Sequence, residues 1–398
     1  MEKSASPASA PVIVGRPDIP ADQDMACFNR LHYAIPFAAT ADPGQAIVFQ
    51  TRDCIDGQMT FGAPVEQMAG LNLGRVHPMT GPVEIRGAEP GDAIAITIDA
   101  IEPAPHGVTM IAPGFSFLRD LFVAPAVVHW RLEKDFAVSD SLPGIRVPIR
   151  PFPGSMGVLP DAALVADALS REAELRDAGG IVMLPDPDNA LPHALFGAGS
   201  RFESEGLRTI PPREFGGNMD TSLLAPGSTL VVPVSVPGAG VWCGDVHFAQ
   251  GDGEVCGSAI EIAARVHIRC EVRKGEGRGL AGPVVEGFRP AAARRPVYAT
   301  MGFPTKQAGE LPPHLDYVND PRLRKLRNLS EDVTLAARNA LLNLIDWLCG
   351  QRGLSRDHAY ILCSAAADLR IAQVVDSPNV MVTAEIPLDI FHGAGGAK

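Results

Sequence analysis

Alternation between apolar and polar positions dominates this chain. Residues 92–101 place isoleucines at 94, 96 and 98, the two-residue period of a strand with one face inward. Apolar runs of strand length at 46–52, 81–86, 144–149, 229–236, 264–272, 369–376 and 380–386 predict further strands. The segment 87–92 (Gly-Ala-Glu-Pro-Gly-Asp) separates two of them and is a turn by composition. Two regions change to a helical pattern. Residues 161–177 are rich in Ala, Leu and Glu and end at Gly179-Gly180. From Ser330, read as an N-cap with Glu331 and Asp332 in the first turn, a second helix runs to Gly350. Its inward stripe is Val333, Ala337, Leu341, Leu344, Ile345 and Leu348. Ser355 caps a third helix over 356–366, so the last two read as a C-terminal helical hairpin closing a β-rich core. Residues 1–24, rich in Ala, Pro, Ser and Asp, read as a loose N-terminal arm. Residues 25–398 form the folded body, with a division into two β subdomains at about 25–210 and 211–398 left open.

Composition supports that picture. Of 398 residues, 46% are hydrophobic, enough for sizeable cores. The 40 glycines, 36 prolines and 6% aromatic content favour many short strands, hence a mainly β (α+β) class. A net charge of −12 argues against nucleic acid as a partner. Seven cysteines with no CxxC pair read as reduced, buried apolar residues. No run of 18 apolar residues predicts a membrane span, and the first 24 residues lack the apolar segment of a signal peptide. The expected location is the cytoplasm.

The chemistry concentrates in Gly244-Asp245-Val246-His247-Phe248-Ala249-Gln250-Gly251-Asp252-Gly253-Glu254. Carboxylates and an imidazole so close together compete for solvent or repel, and a divalent ion is the simplest centre that holds them. A glycine-rich turn with solvated acids is the competing reading. Upstream, Phe215-Gly216-Gly217-Asn218-Met219-Asp220 offers two polar side chains at i and i+2, on the same side of an extended segment. An Asx-type turn explains that motif equally well. Asp53, followed by Asp56-Gly57-Gln58, reads as an acid at a strand end or as a surface turn. Within Pro151–Pro160, Ser155 lacks the G-x-S-x-G setting of a nucleophile elbow. Cys243 and Cys256 lack basic neighbours that would make them nucleophiles.

Taken together, these segments resemble the acetamidase/formamidase family. Thr80-Gly81-Pro82-Val83, the 87–92 turn, Pro113-Gly114-Phe115, the 151–157 segment and residues 367–376 match as well, so the resemblance runs from about 45 to 391. It implies a β-sandwich-type fold with helical additions and hydrolysis of a small linear amide to carboxylic acid and ammonia. It further implies a divalent ion, zinc first and calcium second. Carried over by position, Asp53, Asp220, Asp245 and His247 are the expected metal ligands. Glu254, Asn218 and Asp252 are the expected catalytic groups, with Glu254 the proton shuttle, and Phe248, Gln250 and Met156 the expected substrate contacts. The expected partners are a small amide and further copies of the chain. Two other readings stay open: a larger, ureido or cyclic amide with residues 161–210 as a lid, and a non-catalytic metal-binding protein.

Overall fold

A computed structural model describes residues 10–180, 182–287, 295–315, 320–374 and 379–392. The architecture is mostly β with some helices, spread over several sheets. One sheet has six strands in the order Val12–Val14, Ala46–Thr51, Ala264–Arg273, Ala93–Pro103, Thr229–Pro233 and Val284–Glu286. At its centre Ala93–Pro103 and Ala264–Arg273 pair antiparallel along nearly their whole length. The alternation around residue 96 is realised here: Ile94, Ile96 and Ile98 are fully buried while Asp99 faces solvent and pairs with Arg269.

A second sheet has twelve strands and carries the chemistry. Val241–His247 runs through its middle and is buried at every position. Phe152–Gly157 pairs with it antiparallel, as do Met79–Ile85 and Glu261–Ile262; Gly216–Asn218 pairs with the far edge of Phe152–Gly157. Such continuous burial explains why this strand reads as apolar apart from Asp245 and His247.

A third sheet orders Val297–Gly302, Met381–Pro387 and Asp368–Gln373. The helix Val333–Arg352 lies on it, with Trp347 stacked on Tyr298 at 3.8 Å. Gly302 makes the approach close, because any side chain there would strike the helix backbone at Ala336 and Ala340.

Several boundaries differ from expectation. Asp332, rather than Ser330, caps the long helix, its carboxylate accepting from Leu335 N at 2.9 Å. Gly353, at φ 66°, ends it in place of Gly350 because the left-handed cap falls there. The buried stripe accordingly rotates to include Leu335, Ala336 and Ala340, leaving Val333 and Ala337 half-buried. Ser355 does cap Arg356–Ala366, through His358 N. Of the strand read at 144–149 only Val147–Pro148 forms. Asp161 caps Ala162–Asp177 by accepting from Leu164 N at 2.8 Å.

The arm at 1–24 is docked where it is described. Val12–Val14 adds in parallel to Ile47–Phe49, and the Asp24 carboxylate accepts from Arg16 N and Ala26 N. A short β-branched run meeting an open strand edge outweighs the turn-rich composition around it; residues 1–9 lie outside the described residues. Strands from both sides of residue 210 share the six-stranded sheet. Ala264–Arg273 sits between Ala46–Thr51 and Ala93–Pro103, so each half alone would leave central strands unpaired. Val165, Ala168, Phe196 and Leu207 of the 161–210 segment belong to the main core, which makes that segment part of the body. No described helix is long and apolar enough to cross a membrane.

Candidate active site

Strand register assembles the site. His247 lies opposite Glu261 on one neighbour and Phe152 on the other, so an imidazole and a carboxylate meet inside the sheet. His247 Nε2 is 3.3 Å from Glu261 Oε2 and 3.6 Å from Asp245 Oδ1. Asp245, two residues before His247, faces the same side. Asp220 follows the short strand Gly216–Asn218 and brings Oδ1 to 4.0 Å from His247 Nε2. Gly154 opens this space: a Cβ there would stand 2.6 Å from Asp220 Oδ1 and 2.7 Å from His247 Cε1.

Three of these acids hold unusual backbone conformations. Asp220, Asp245 and Glu254 have φ of 43°, 53° and 41°. Side chains rarely adopt that region, and such strain persists where surroundings impose it, often at functional sites. Here the surroundings are visible. Asp220 N donates to Gly154 O at 3.2 Å, Asp220 O accepts from Gln250 Nε2 at 2.8 Å, and Asp220 Oδ2 accepts from Asn218 Nδ2 at 2.8 Å.

The loop carrying Glu254 is clasped by the C-terminal part of the chain. Gly251 N donates to Ser364 O at 2.7 Å, Cys256 N to Ser364 Oγ at 3.1 Å, and Asp252 N to Asp368 Oδ1 at 3.0 Å. Leu369 N donates in return to Asp252 O at 2.9 Å. Gly251 has no room for a side chain because the Ala367 backbone lies against it.

Charge in the cluster is unbalanced. Asp220, Asp245, Glu254 and Glu261 surround the buried imidazole of His247, and the half-buried His77 lies close enough to Asp245 to add its charge. Burial, and next the Asp245 charge, push the Asp220 carboxyl up to about 8. Burial and the Asp220 charge push Glu254 well above the usual carboxylate range. Burial pushes Asp245 up as well, but the charges of His77 and His247 outweigh it and hold that carboxyl low. Burial lowers His247, yet the Glu261 and Asp245 charges carry it well above an ordinary histidine. Several buried polar atoms point into this space without a hydrogen-bond partner: Asp220 Oδ1, both His247 nitrogens, Glu261 Oε2 and Gln250 Oε1. Buried polar groups are rarely left so.

Two sets of ligand atoms lie within 4.8 Å of one another, Asp220/His247/Glu254 and Cys54/Asp245/Glu261. Imidazole nitrogen, carboxylate oxygen and thiol sulfur are the donor types of divalent transition-metal sites. The bare oxygens and nitrogens above are what such an ion would satisfy, so the residues present fit one.

The expected residues separate into those that converge and those that stand apart. Asp220, Asp245, His247 and Glu254 converge, with Asn218 and Gln250 bonded directly to Asp220. Asp53 stands beside the cluster: its Oδ1 accepts from Ile55 N and Gly57 N, closing a turn that presents the neighbouring Cys54 to Asp245 and Glu261. Asp252 accepts from Ser222 Oγ at 2.8 Å and belongs to neither set of ligand atoms. Phe248 and Met156 are fully buried in the core. Four participants escaped sequence reasoning: Glu261, Cys54, His77 and Ser155. An acid inside the apolar run 259–262 was the available signal for Glu261, since burying a charge needs a reason. His77, half-buried with Nδ1 unpartnered, carried none.

The Acetamidase/Formamidase family model matches residues 16–393. The chain belongs to that family. It is 31% identical to a formamidase of Methylophilus methylotrophus over 94% of this chain and 91% of that protein. It is 30% identical to an acetamidase of Mycolicibacterium smegmatis over 86% of each. Among solved structures, a γ-lactamase from Delftia acidovorans superposes with a TM-score of 0.86 at 29% identity, covering 98% of this chain and 95% of that one. This family member carries its acid cluster in the middle of its twelve-stranded sheet.

Proposed function

We propose that this chain hydrolyses a small linear amide of the formamide or acetamide kind to carboxylic acid and ammonia. One observation carries the reading: four carboxylates converge on one buried imidazole, with bare ligand atoms between them, in a chain of this family. Asp220 and Glu254 alone keep some exposure in the first ligand set, while His247, Asp245 and Glu261 are sealed. Entry from that one side favours a substrate of few atoms.

An amide has a weakly electrophilic carbon and a poor leaving group, so water must lose a proton and the amide nitrogen must gain one. A divalent ion, read here as zinc with calcium as the alternative, supplies Lewis acidity toward water and the carbonyl oxygen when bound. His247, Asp220 and Asp245 are the residues we assign to hold it, with Glu261 added. Asp53, which caps the turn beside Cys54, is the weaker assignment of the original four. Glu254 takes the proton from attacking water and returns it to nitrogen as the C–N bond breaks; a carboxyl with a raised pKa suits both halves of that transfer. Gln250, with Oε1 free, is placed to accept from the substrate NH2 group. Asp252, Phe248 and Met156 support this centre through the surrounding loop and core.

The similarity to a γ-lactamase favours a second reading, a cyclic amide at the same site. Incubating the purified chain with formamide, acetamide and a γ-lactam, with and without chelator, tests both. Ammonia from a linear amide supports the first reading, and ring opening without ammonia supports the second. A metal-replete protein that turns over none of the three sinks both.

Finer architectural readings accompany the proposal. We take the two large sheets as a sandwich, because Ile47 and Phe49 of one share a core with Met79, Val83 and Trp242 of the other. We take Val333–Arg352 and Arg356–Ala366 as a helical hairpin on the grounds of their three-residue connection. The free cysteines support a reducing, cytoplasmic compartment, and exposed Val297, Met301 and Ile371 support a homo-oligomer.

A further inference from the structure

We infer that Ser155 is a positioning residue of this centre, acting through Asn218. The inference rests on the ion-assisted amide-hydrolysis reading above. Ser155 lies on Phe152–Gly157, the strand between those that carry Asn218 and Asp245. In register it is opposite Asn218 on one side and Gly244 on the other. Its side chain is fully buried, and its hydroxyl donates to Asn218 Oδ1 at 2.6 Å, with Asp245 Oδ2 at 3.4 Å.

The Asp220 carboxylate, which only accepts when ionised, sets which way the Asn218 amide faces, and the serine hydroxyl holds it there. With Oδ1 occupied by the serine proton, Nδ2 points to Asp220 Oδ2 and donates to it at 2.8 Å. The reversed amide would set its carbonyl oxygen against the Asp220 carboxylate, oxygen against oxygen. One carboxylate oxygen of Asp220 is therefore held by an N–H, and the other, Oδ1, is left bare toward His247. Backbone contacts to Gly154 O and from Gln250 Nε2 hold the rest of the residue, so only the carboxylate rotation remains free. The relay from Ser155 through Asn218 to Asp220 removes that freedom. Asn218 thereby acts on a ligand, a different task from the direct catalytic one expected of it. Groups that orient ligands in this way typically contribute about 10–100-fold in metal affinity or activity.

The test is a double-mutant cycle on the intact chain with S155A, N218A and the double variant. Three quantities are read: zinc affinity by chelator competition, kcat and KM for formamide, and the unfolding midpoint of metal-free protein. S155A is expected to weaken zinc binding and lower kcat about 10–100-fold, with KM and the metal-free midpoint near wild type. The double variant is expected to lose no more than N218A alone, because one relay is broken only once. Independent, additive losses overturn the inference, as does S155A with unchanged zinc affinity and kcat in a chain whose wild type turns over formamide. Where S155A does not fold, S155C, similar in size with a much weaker donor, carries the same expectations. A wild type that binds zinc and shows the S155A weakening but cleaves no amide would retain this inference and sink the functional reading. A wild type that binds no divalent ion overturns both.

Discussion

Arg213 and its neighbour Arg171 each meet an opposite charge. The Arg213 guanidinium, nearly sealed, donates to Glu172 Oε1 at 2.6 Å and 3.1 Å, and next to it Arg171 pairs with Glu214 at 2.7 Å. These pairs line a groove of about 500 Å3 beside the helix Ala162–Asp177. Around His247 the rule is reversed: four carboxylates against the imidazoles of His247 and the half-buried His77, with ligand atoms left without partners. A cluster built only for stability neutralises its charges, because an isolated buried charge costs several kcal/mol. A cluster left unbalanced persists because something else completes it. The contrast separates the two regions more cleanly than cavity size does, since the spacious groove surrounds the balanced one.

Removing the divalent ion should have the largest effect on turnover. Dialysis against a strong chelator is expected to abolish amide hydrolysis, with recovery on adding zinc; full activity in protein that metal analysis finds empty would erase the distinction drawn above. Glu254→Gln is expected to lower kcat by about 10²–10⁴-fold with metal content unchanged. Wild-type turnover in that variant would remove Glu254 from proton transfer. Gly154→Ala forces a methyl group against Asp220 and His247 and should reduce kcat/KM by roughly 10²-fold, the scale of a 1 Å misplacement. Arg213→Met should do the opposite, leaving turnover of folded enzyme untouched while removing about 3–5 kcal/mol of stability by stranding Glu172. A variant that instead unfolds no more readily but loses activity would merge the two regions.

The last effect bears on stability alone and shows as a pH slope in metal-free protein. Asp220 is raised from an ordinary 3.8 to about 8 in the folded chain. The folded state holds that proton more tightly than the unfolded state does, so the stabilisation is full below about pH 4. It fades as pH rises toward 8. The metal-free melting temperature should therefore decline across that window, and Asp220→Asn should flatten the decline; an identical slope in the variant would count against the shift.

Legibility in the sequence follows how local each cause is. Ile94, Ile96 and Ile98 declare a strand because burial on one face imposes a two-residue period. Ser355 declares a helix start because a cap bonds only a few residues ahead, although the same cue two residues early, at Ser330, misplaced the start that Asp332 makes. Asp245, His247 and Glu254 were legible together because one glycine-rich run carries them. Glu261 and Cys54 were not, since only antiparallel pairing and the Asp53 turn bring them to Asp245. Ser155 was visible as a residue but not as a participant, because its meaning lies in being opposite Asn218 across a strand register. Val12–Val14 was lost in the Ala- and Pro-rich composition around it, with its partner strand far along the chain.

The clasp on the Glu254 loop also bears on when the enzyme becomes active. His247 and its neighbouring acids leave the ribosome long before Ser364, Asp368 and Leu369, the groups that fasten the loop. A nascent chain therefore carries the proposed metal ligands without the means to fix the loop of Glu254, the proposed proton carrier. On the proposed assignment, a chain cut short within Arg356–Ala366 is expected to lack activity however well its sheets have formed, because the bonds from Asp368 and Leu369 to the Glu254 loop cannot form.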